Sequence, residues 1–247
     1  MRTTAVVLVL LCVYSTVAAA AEVPGASEAL HSRTLYLIRH GSYDEHAEAA
    51  PEKGPGLTAL GIAQARLVAG RLRAASVHFD SITSSTLTRA EQTAAVIHES
   101  LPDVPLTEQS ALVECAPPST VELHGENLDE ATACAKRLDE VFRDRFKPSV
   151  GAEVNEVIVA HGNVIRYLVA KALGVDTRHW AAMSVAHTSL TIIRVRRDGR
   201  MVVLAVGDVG HLPPNLQSWG GKADPQLTVP KDMGPTDSVP KQTAPKE

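Results

Sequence analysis

Apolar and polar positions divide the chain into alternating strand-like and helix-like blocks. The run RTLYLI, from Arg33, is short and β-rich. The next block, LTALGIAQARLVAGRLRAAS, opens with Thr58 as an N-cap and carries Leu60, Ala63, Leu67 and Leu72 at helical spacing. FDSITSS predicts a second buried strand, and TLTRAEQTAAVIHESL a helix that stops before Pro102. VPLTEQSALVE predicts a third extended piece. Residues 127–146 predict an amphipathic helix, NEVIVAH a very apolar strand, and NVIRYLVAKALG a helix closed by Gly174. The rhythm then changes. HTSLTIIRVRRDGRMVVLAVGD holds two β runs joined across Asp198-Gly199, a hairpin signal. Strand–helix alternation followed by a hairpin predicts an α/β fold: a mostly parallel central sheet with helices on both faces and an antiparallel edge.

The two ends stand apart from this pattern. MRTTAVVLVLLCVYSTVAAAAEVPG has one basic residue, Arg2, and then an uncharged apolar stretch to Ala21. It predicts a signal peptide over 1–21, cut after the alanine run, and a short linker over 22–31. Export to the periplasm or a secreted space follows, with an organelle lumen as an alternative, or a membrane anchor if the segment is not cut. Contact with a membrane is expected only in that uncut case. Residues 32–213 are expected to form the folded domain. Residues 214–247, rich in Pro and Lys and poor in apolar side chains, read as a flexible tail.

Composition narrows the classes. The chain has 247 residues, of which 45% are hydrophobic, enough for one sizeable core. Aromatics are only 4%, so that core must be built mainly from Ala, Val, Leu and Ile. A formal net charge of -4 with mixed signs gives no nucleic-acid footprint. Outside the leader the cysteines are Cys115 and Cys134, either a disulfide or two buried thiols. No Cys/His/Asp spacing reads as a metal site, and no cofactor is implied.

The chemistry sits where strands end. In open α/β sheets, sites lie beyond the carboxyl ends of the strands. LYLI delivers Arg39, His40 and Gly41; the FDSIT strand delivers Ser84 and Ser85, with Arg89 one helical turn on; EVIVA delivers His161, Gly162 and Asn163. Glu114, after SALV, adds a carboxyl; Glu108 and Glu122 are its neighbours and competitors. Guanidinium groups bind phosphate bidentately and stay charged. A neutral imidazole is a competent nucleophile, and Arg39 and Arg89 disfavour protonation of His40. Gly41 lets phosphate and backbone approach closely. The N-terminus of the helix from Asn163 adds partial positive charge and free N–H groups. Apolar neighbours raise the pKa of Glu114, as a proton donor requires. Arg166 could reach the site but reads as a solvated or structural charge; His46 and His187 lie in loops that could border the pocket but read as surface or packing residues rather than catalytic ones; Ser42 could line the phosphate site.

Arg39-His40-Gly41, SSTLTRAEQT and AHGNVIRYLV, in this order, resemble the histidine phosphatase (phosphoglycerate-mutase-like) superfamily, and within it the mitochondrial serine/threonine protein phosphatases and their bacterial relatives. The resemblance runs from about Arg33 to Pro214. It implies that His40 carries the phosphoryl group, that Arg39, Arg89 and His161 form the phosphate pocket, and that Glu114 protonates the leaving oxygen. It also implies a phosphorylated substrate, protein or small molecule. A homodimer is left open. Mutases of the family carry a longer insertion between the acid and the second histidine. The stretch from Glu114 to His161 is short, which favours hydrolysis. Cys115 departs from the pattern, standing where the relatives have a small residue.

Overall fold

The computed structural model describes residues 29–121 and 127–220. The segments assigned to the signal peptide and to most of the tail lie outside the described residues. The strands and helices are β1 Leu30–His31, β2 Arg33–Arg39, α1 Ala59–Ala74, β3 Ser81–Ser84, α2 Thr88–Ser100 and β4 Leu106–Glu108, then α3 Leu128–Arg145, β5 Ser149–Val150, β6 Val154–Ala160, α4 Gly162–Ala172, β7 Leu190–Val195 and β8 Met201–Asp208. Three 3-10 turns, Ser110–Leu112, Thr177–Ala182 and Pro214–Leu216, complete the path.

The main sheet has six strands in the order β4-β3-β6-β2-β7-β8. The first four are mutually parallel, and β7 and β8 close the sheet antiparallel. This is the α/β architecture expected. Period-2 alternation divides the core between the two faces. Leu35, Leu37 and Ile158 point to the side covered by α3 and α4; Tyr36, Ile38, Val157 and Val159 point to the side of α1 and α2.

Local chemistry explains the helix ends. The Thr58 hydroxyl accepts from the Gly61 N–H and caps α1, and the Asn127 side chain does the same for α3. After α4 the chain turns at Gly174 with φ +68°, a conformation that favours glycine. At the strand starts, Glu156 of β6 meets Arg33 of β2 and, at 3.2 Å, Arg145 of α3, whose other nitrogen donates to Gln109. This ionic knot ties the α3 end to the sheet, at the edge away from the carboxyl ends of the strands.

The structure departs from the sequence reading at several places. VPLTEQSALVE is extended only over β4; a 3-10 turn follows, because the pairing partner β3 is itself only four residues long. Leu30–His31, assigned to the linker, pair with Val150 and Ser149 as a two-stranded ribbon. Residues 214–220, assigned to the tail, return across the sheet edge. Cys115 and Cys134 are joined in a disulfide with Cα atoms 5.9 Å apart, which decides the alternative left open by the sequence.

Candidate active site

Register brings the polar strand ends together. Arg39 of β2 lies beside Ala160 of β6, and Val159 of β6 beside Ser84 of β3. Arg39-His40, Ser85 and His161 therefore emerge level on one edge. The pleat parts Arg39 from His40. Arg39 turns to the α4 side, where a Cβ added at Gly162 would stand 3.5 Å from its Nε. His40 turns to α2, and its Nε2 accepts from Arg89 Nε at 3.1 Å.

His40 is fully enclosed, and its ring has one reasonable tautomer. Nδ1 lies 2.8 Å from the Gly41 carbonyl oxygen, which can only accept, so Nδ1 carries the hydrogen. The lone pair is then on Nε2, facing Arg89. Burial holds the His40 pKa well below the usual imidazole value, with further depression from His161, Arg39, Arg89 and His187. The ring is a neutral imidazole held in orientation by two hydrogen bonds.

The surrounding groups are as closely held. His161 Nε2 is 2.7 Å from Ser85 Oγ, and burial followed by Arg89, Arg39 and Arg137 keeps this ring neutral as well. Arg39 donates to the carbonyls of Val185 at 2.7 Å and Gly220 at 2.6 Å. The Arg89 guanidinium lies over the Tyr43 ring at 4.6 Å. Glu114 stands near all of this. Burial raises its carboxyl pKa, while Arg39, Arg89, Arg166 and the Asn163 amide pull it back. Its protonated form therefore persists to higher pH than an ordinary glutamate allows. Its competitor Glu108 is exposed, and Glu122 lies outside the described residues.

Gly162 and Asn163 begin α4 directly after His161, so the helix N-terminus faces the same edge. Asn163 Oδ1 accepts from Arg166 Nη2 at 2.5 Å. Packing alone already requires a missing side chain at Gly41. A Cβ there would stand 2.6 Å from the Gly61 carbonyl oxygen, so the room is taken by the start of α1. The Ser42 backbone is tied to α1 and its N-cap: its N–H donates to Gln64 and its carbonyl accepts from Thr58. His46 is exposed.

Three residues matter more than their sequence context announces. Arg166 is buried, bonded to the carbonyls of Gly162 and Met183, and stacked over Trp180 at 4.9 Å. Of the two readings the sequence allowed, it is the structural one, not the solvated one. A lone arginine on the apolar face of a helix was its signal. Tyr43 meets His40 edge-on at 5.2 Å. His187 is buried with its ring centroid 5.5 Å from that of His40. It escapes the carboxyl-end rule because β7 runs antiparallel: Leu190, where β7 begins, pairs with Ile38, one residue before β2 ends. On such a strand the site lies before the start.

Two buried neutral imidazoles, two guanidiniums and a carboxyl that resists ionisation meet at this edge, a set of groups suited to phosphoryl transfer. The chain belongs to the histidine phosphatase superfamily (branch 1), whose sequence profile matches residues 35–120 and 116–208. It is an enzyme of the histidine phosphatase type. It is 36% identical over 200 residues to the "Serine/threonine-protein phosphatase Pgam5, mitochondrial" of Caenorhabditis elegans, covering 78% of this chain and 68% of the relative. The Homo sapiens "Serine/threonine-protein phosphatase PGAM5, mitochondrial" is 31% identical over 198 residues, covering 74% of this chain and 65% of that one. The chain thus spans about two thirds of the length of these relatives. Among solved structures, a phosphoglycerate mutase from Plasmodium falciparum has the same fold, with a TM-score of 0.54, 23% identity, and coverage of 74% of this chain and 95% of its own.

These relatives correct one expectation. Export to the periplasm or a secreted space does not agree with relatives that are named mitochondrial in nematode, frog and mammal alike. An apolar, nearly uncharged leader is a compartment signal of low specificity, which explains the error. Among the described residues no helix is long and apolar enough to cross a membrane.

Proposed function

We propose that this protein is a metal-independent phosphomonoester hydrolase that works through a phosphohistidine at His40. One observation carries the reading: a buried, neutral His40 whose Nδ1–H is tied to the Gly41 carbonyl and whose Nε2 faces Arg89. The substrate phosphoryl group sits between Arg39, Arg89 and His161, over the N–H groups of Gly162 and Asn163. Nε2 attacks phosphorus, the ester bond breaks, and Glu114 gives its proton to the departing oxygen. The charge on the three equatorial oxygens is met by guanidinium groups already in place, so no metal is needed to neutralise it. Glu114, now ionised, takes a proton from water, which attacks the phosphohistidine. Inorganic phosphate forms and His40 returns to its starting state.

The substrates we propose are phosphoserine and phosphothreonine in proteins, or small phosphate esters with the same alcohol leaving group. The names of the curated relatives support the first. The test is rapid acid and alkaline quenching during turnover with a labelled ester, followed by peptide mapping. An acid-labile, base-stable label on the peptide containing His40 is expected, with none in His40→Ala. A label elsewhere, or activity in His40→Ala within tenfold of wild type, refutes the assignment. Phosphoglycerate isomerised without release of inorganic phosphate would show a mutase instead.

A further inference from the structure

We propose that His187 is a further catalytic residue, whose Nε2–H donates a hydrogen bond to an equatorial oxygen of the phosphoryl group during transfer to and from His40. The proposal rests on the phosphatase reading above and extends it to a residue that the superfamily pattern of Arg39, His40, Arg89 and His161 does not contain.

The argument starts from an imbalance. His187 is buried, and among the described residues its Nε2 has no hydrogen-bond partner. A buried ring nitrogen left bare is unfavourable unless something occupies it for part of the cycle. This one borders the nucleophile. The His187 ring lies 5.5 Å from that of His40 and 6.2 Å from that of Tyr43, centroid to centroid.

A chain of hydrogen bonds supports a proton on Nε2. The Ser42 N–H donates to Gln64 Oε1 at 2.8 Å, which fixes the orientation of the amide. Gln64 Nε2 then gives its two hydrogens to the Leu216 carbonyl at 2.7 Å and to Ser218 Oγ at 2.8 Å. Ser218 Oγ, already accepting, has its own hydrogen to place, and His187 Nδ1 is 2.9 Å away. We assign Nδ1 as the acceptor of that hydrogen, which leaves the neutral ring's own hydrogen on Nε2. The backbone is pinned to match. The His187 N–H donates to the Ser218 carbonyl, and the Thr188 N–H to the carbonyls of Arg39 at 3.0 Å and His40 at 3.3 Å. Thr188 holds φ +53°, a costly conformation for a β-branched residue, and strain of this kind concentrates at functional sites. The ring is a pre-oriented neutral donor in a site made for an anion.

The experiment uses the full chain with p-nitrophenyl phosphate as substrate and orthovanadate as a pentacoordinate probe. His187→Phe should lower kcat and kcat/KM together, on the order of 100-fold. Vanadate affinity should fall at least tenfold, while inorganic phosphate binds within about threefold of wild type. His187→Gln, which keeps an N–H donor at similar reach, should restore most of the rate; a packing role would not be rescued by an amide. Should His187→Phe not fold, the wild-type ring decides by nitrogen-15 NMR: an Nε2–H tautomer whose proton shifts on vanadate addition is expected. Rates and vanadate affinity of His187→Phe within twofold of wild type overturn the proposal, as does an Nδ1–H tautomer. The phosphatase reading survives either result. It falls on its own test, if wild type forms no phosphohistidine at His40.

Discussion

The tightest backbone contact beside the nucleophile yields the sharpest prediction. Gly61, in the first turn of α1, packs directly on the loop that follows His40. A Cβ at position 61 would lie 2.1 Å from the Ser42 carbonyl oxygen and 2.9 Å from the Ser42 nitrogen. Both are backbone atoms and cannot swing aside. Gly61→Ala must therefore push the loop and the helix apart by about 1 Å before ordinary van der Waals separation is reached. Overpacking of this kind costs about 1–3 kcal/mol of stability. For a domain of this size that is roughly 2–4 °C in Tm per kcal/mol. The larger effect is on chemistry. The displaced loop includes Gly41, whose carbonyl holds His40 Nδ1–H at 2.8 Å. A displacement of about 1 Å at a reacting group can cost 100-fold in rate. The assay is kcat on p-nitrophenyl phosphate beside thermal unfolding. Gly70→Ala, in the same helix with no atom within 4 Å of the new Cβ, is the control, and should gain roughly 0.5–1 kcal/mol with unchanged kcat. A Gly61→Ala enzyme with kcat within threefold of wild type would show that the loop yields without moving the imidazole, and the reasoning would fail.

The remaining predictions concern the acid, the ionic knot and the disulfide. Glu114→Gln should slow release of phosphate from phosphoserine esters by about 100- to 10,000-fold. Single-turnover release of p-nitrophenol, a leaving group that needs no proton, should stay within about tenfold. Because burial raises the Glu114 pKa and lowers that of His40, phosphoserine turnover should hold on the acid side and decline as pH rises through the Glu114 pKa; a rate flat from pH 5 to 9 would remove Glu114 from the role. Glu156→Gln leaves Arg33 and Arg145 without a counter-charge and should cost about 3–5 kcal/mol in denaturant unfolding. Cys115→Ser with Cys134→Ser opens a loop spanning 19 positions and should lower unfolding free energy by about 3 kcal/mol, read from the denaturant midpoint.

Much of this centre was readable in the sequence because β2, β3 and β6 announce their own ends. An apolar run that stops at Arg39-His40, or at His161-Gly162, marks both a buried parallel strand and the edge on which ligands bind. Thr58 and Gly174 likewise mark helix ends by local chemistry, which requires no partner far away. The parts missed depend on such partners. His187 needs Ser218 and Gln64, and Gln64 needs Ser42; no local window contains that chain. β4 was overextended because apolar residues at Leu112 and Val113 serve a turn as readily as a strand. The ordered segment 214–220 looked like tail because its binding is through backbone carbonyls and one serine, which composition does not report.

Arg39 and Arg89 hold fixed positive charge at a centre whose three imidazoles stay neutral. Such a cavity does not distinguish strongly between the phosphate it is given and the phosphate it has made. Letting go of product is therefore opposed by the same charges that hold the substrate. Free phosphate, sulfate and other small dianions will compete for the vacancy. Buffers containing them should therefore depress the measured rate, and cellular throughput will depend on the ambient level of inorganic phosphate as well as on the amount of enzyme.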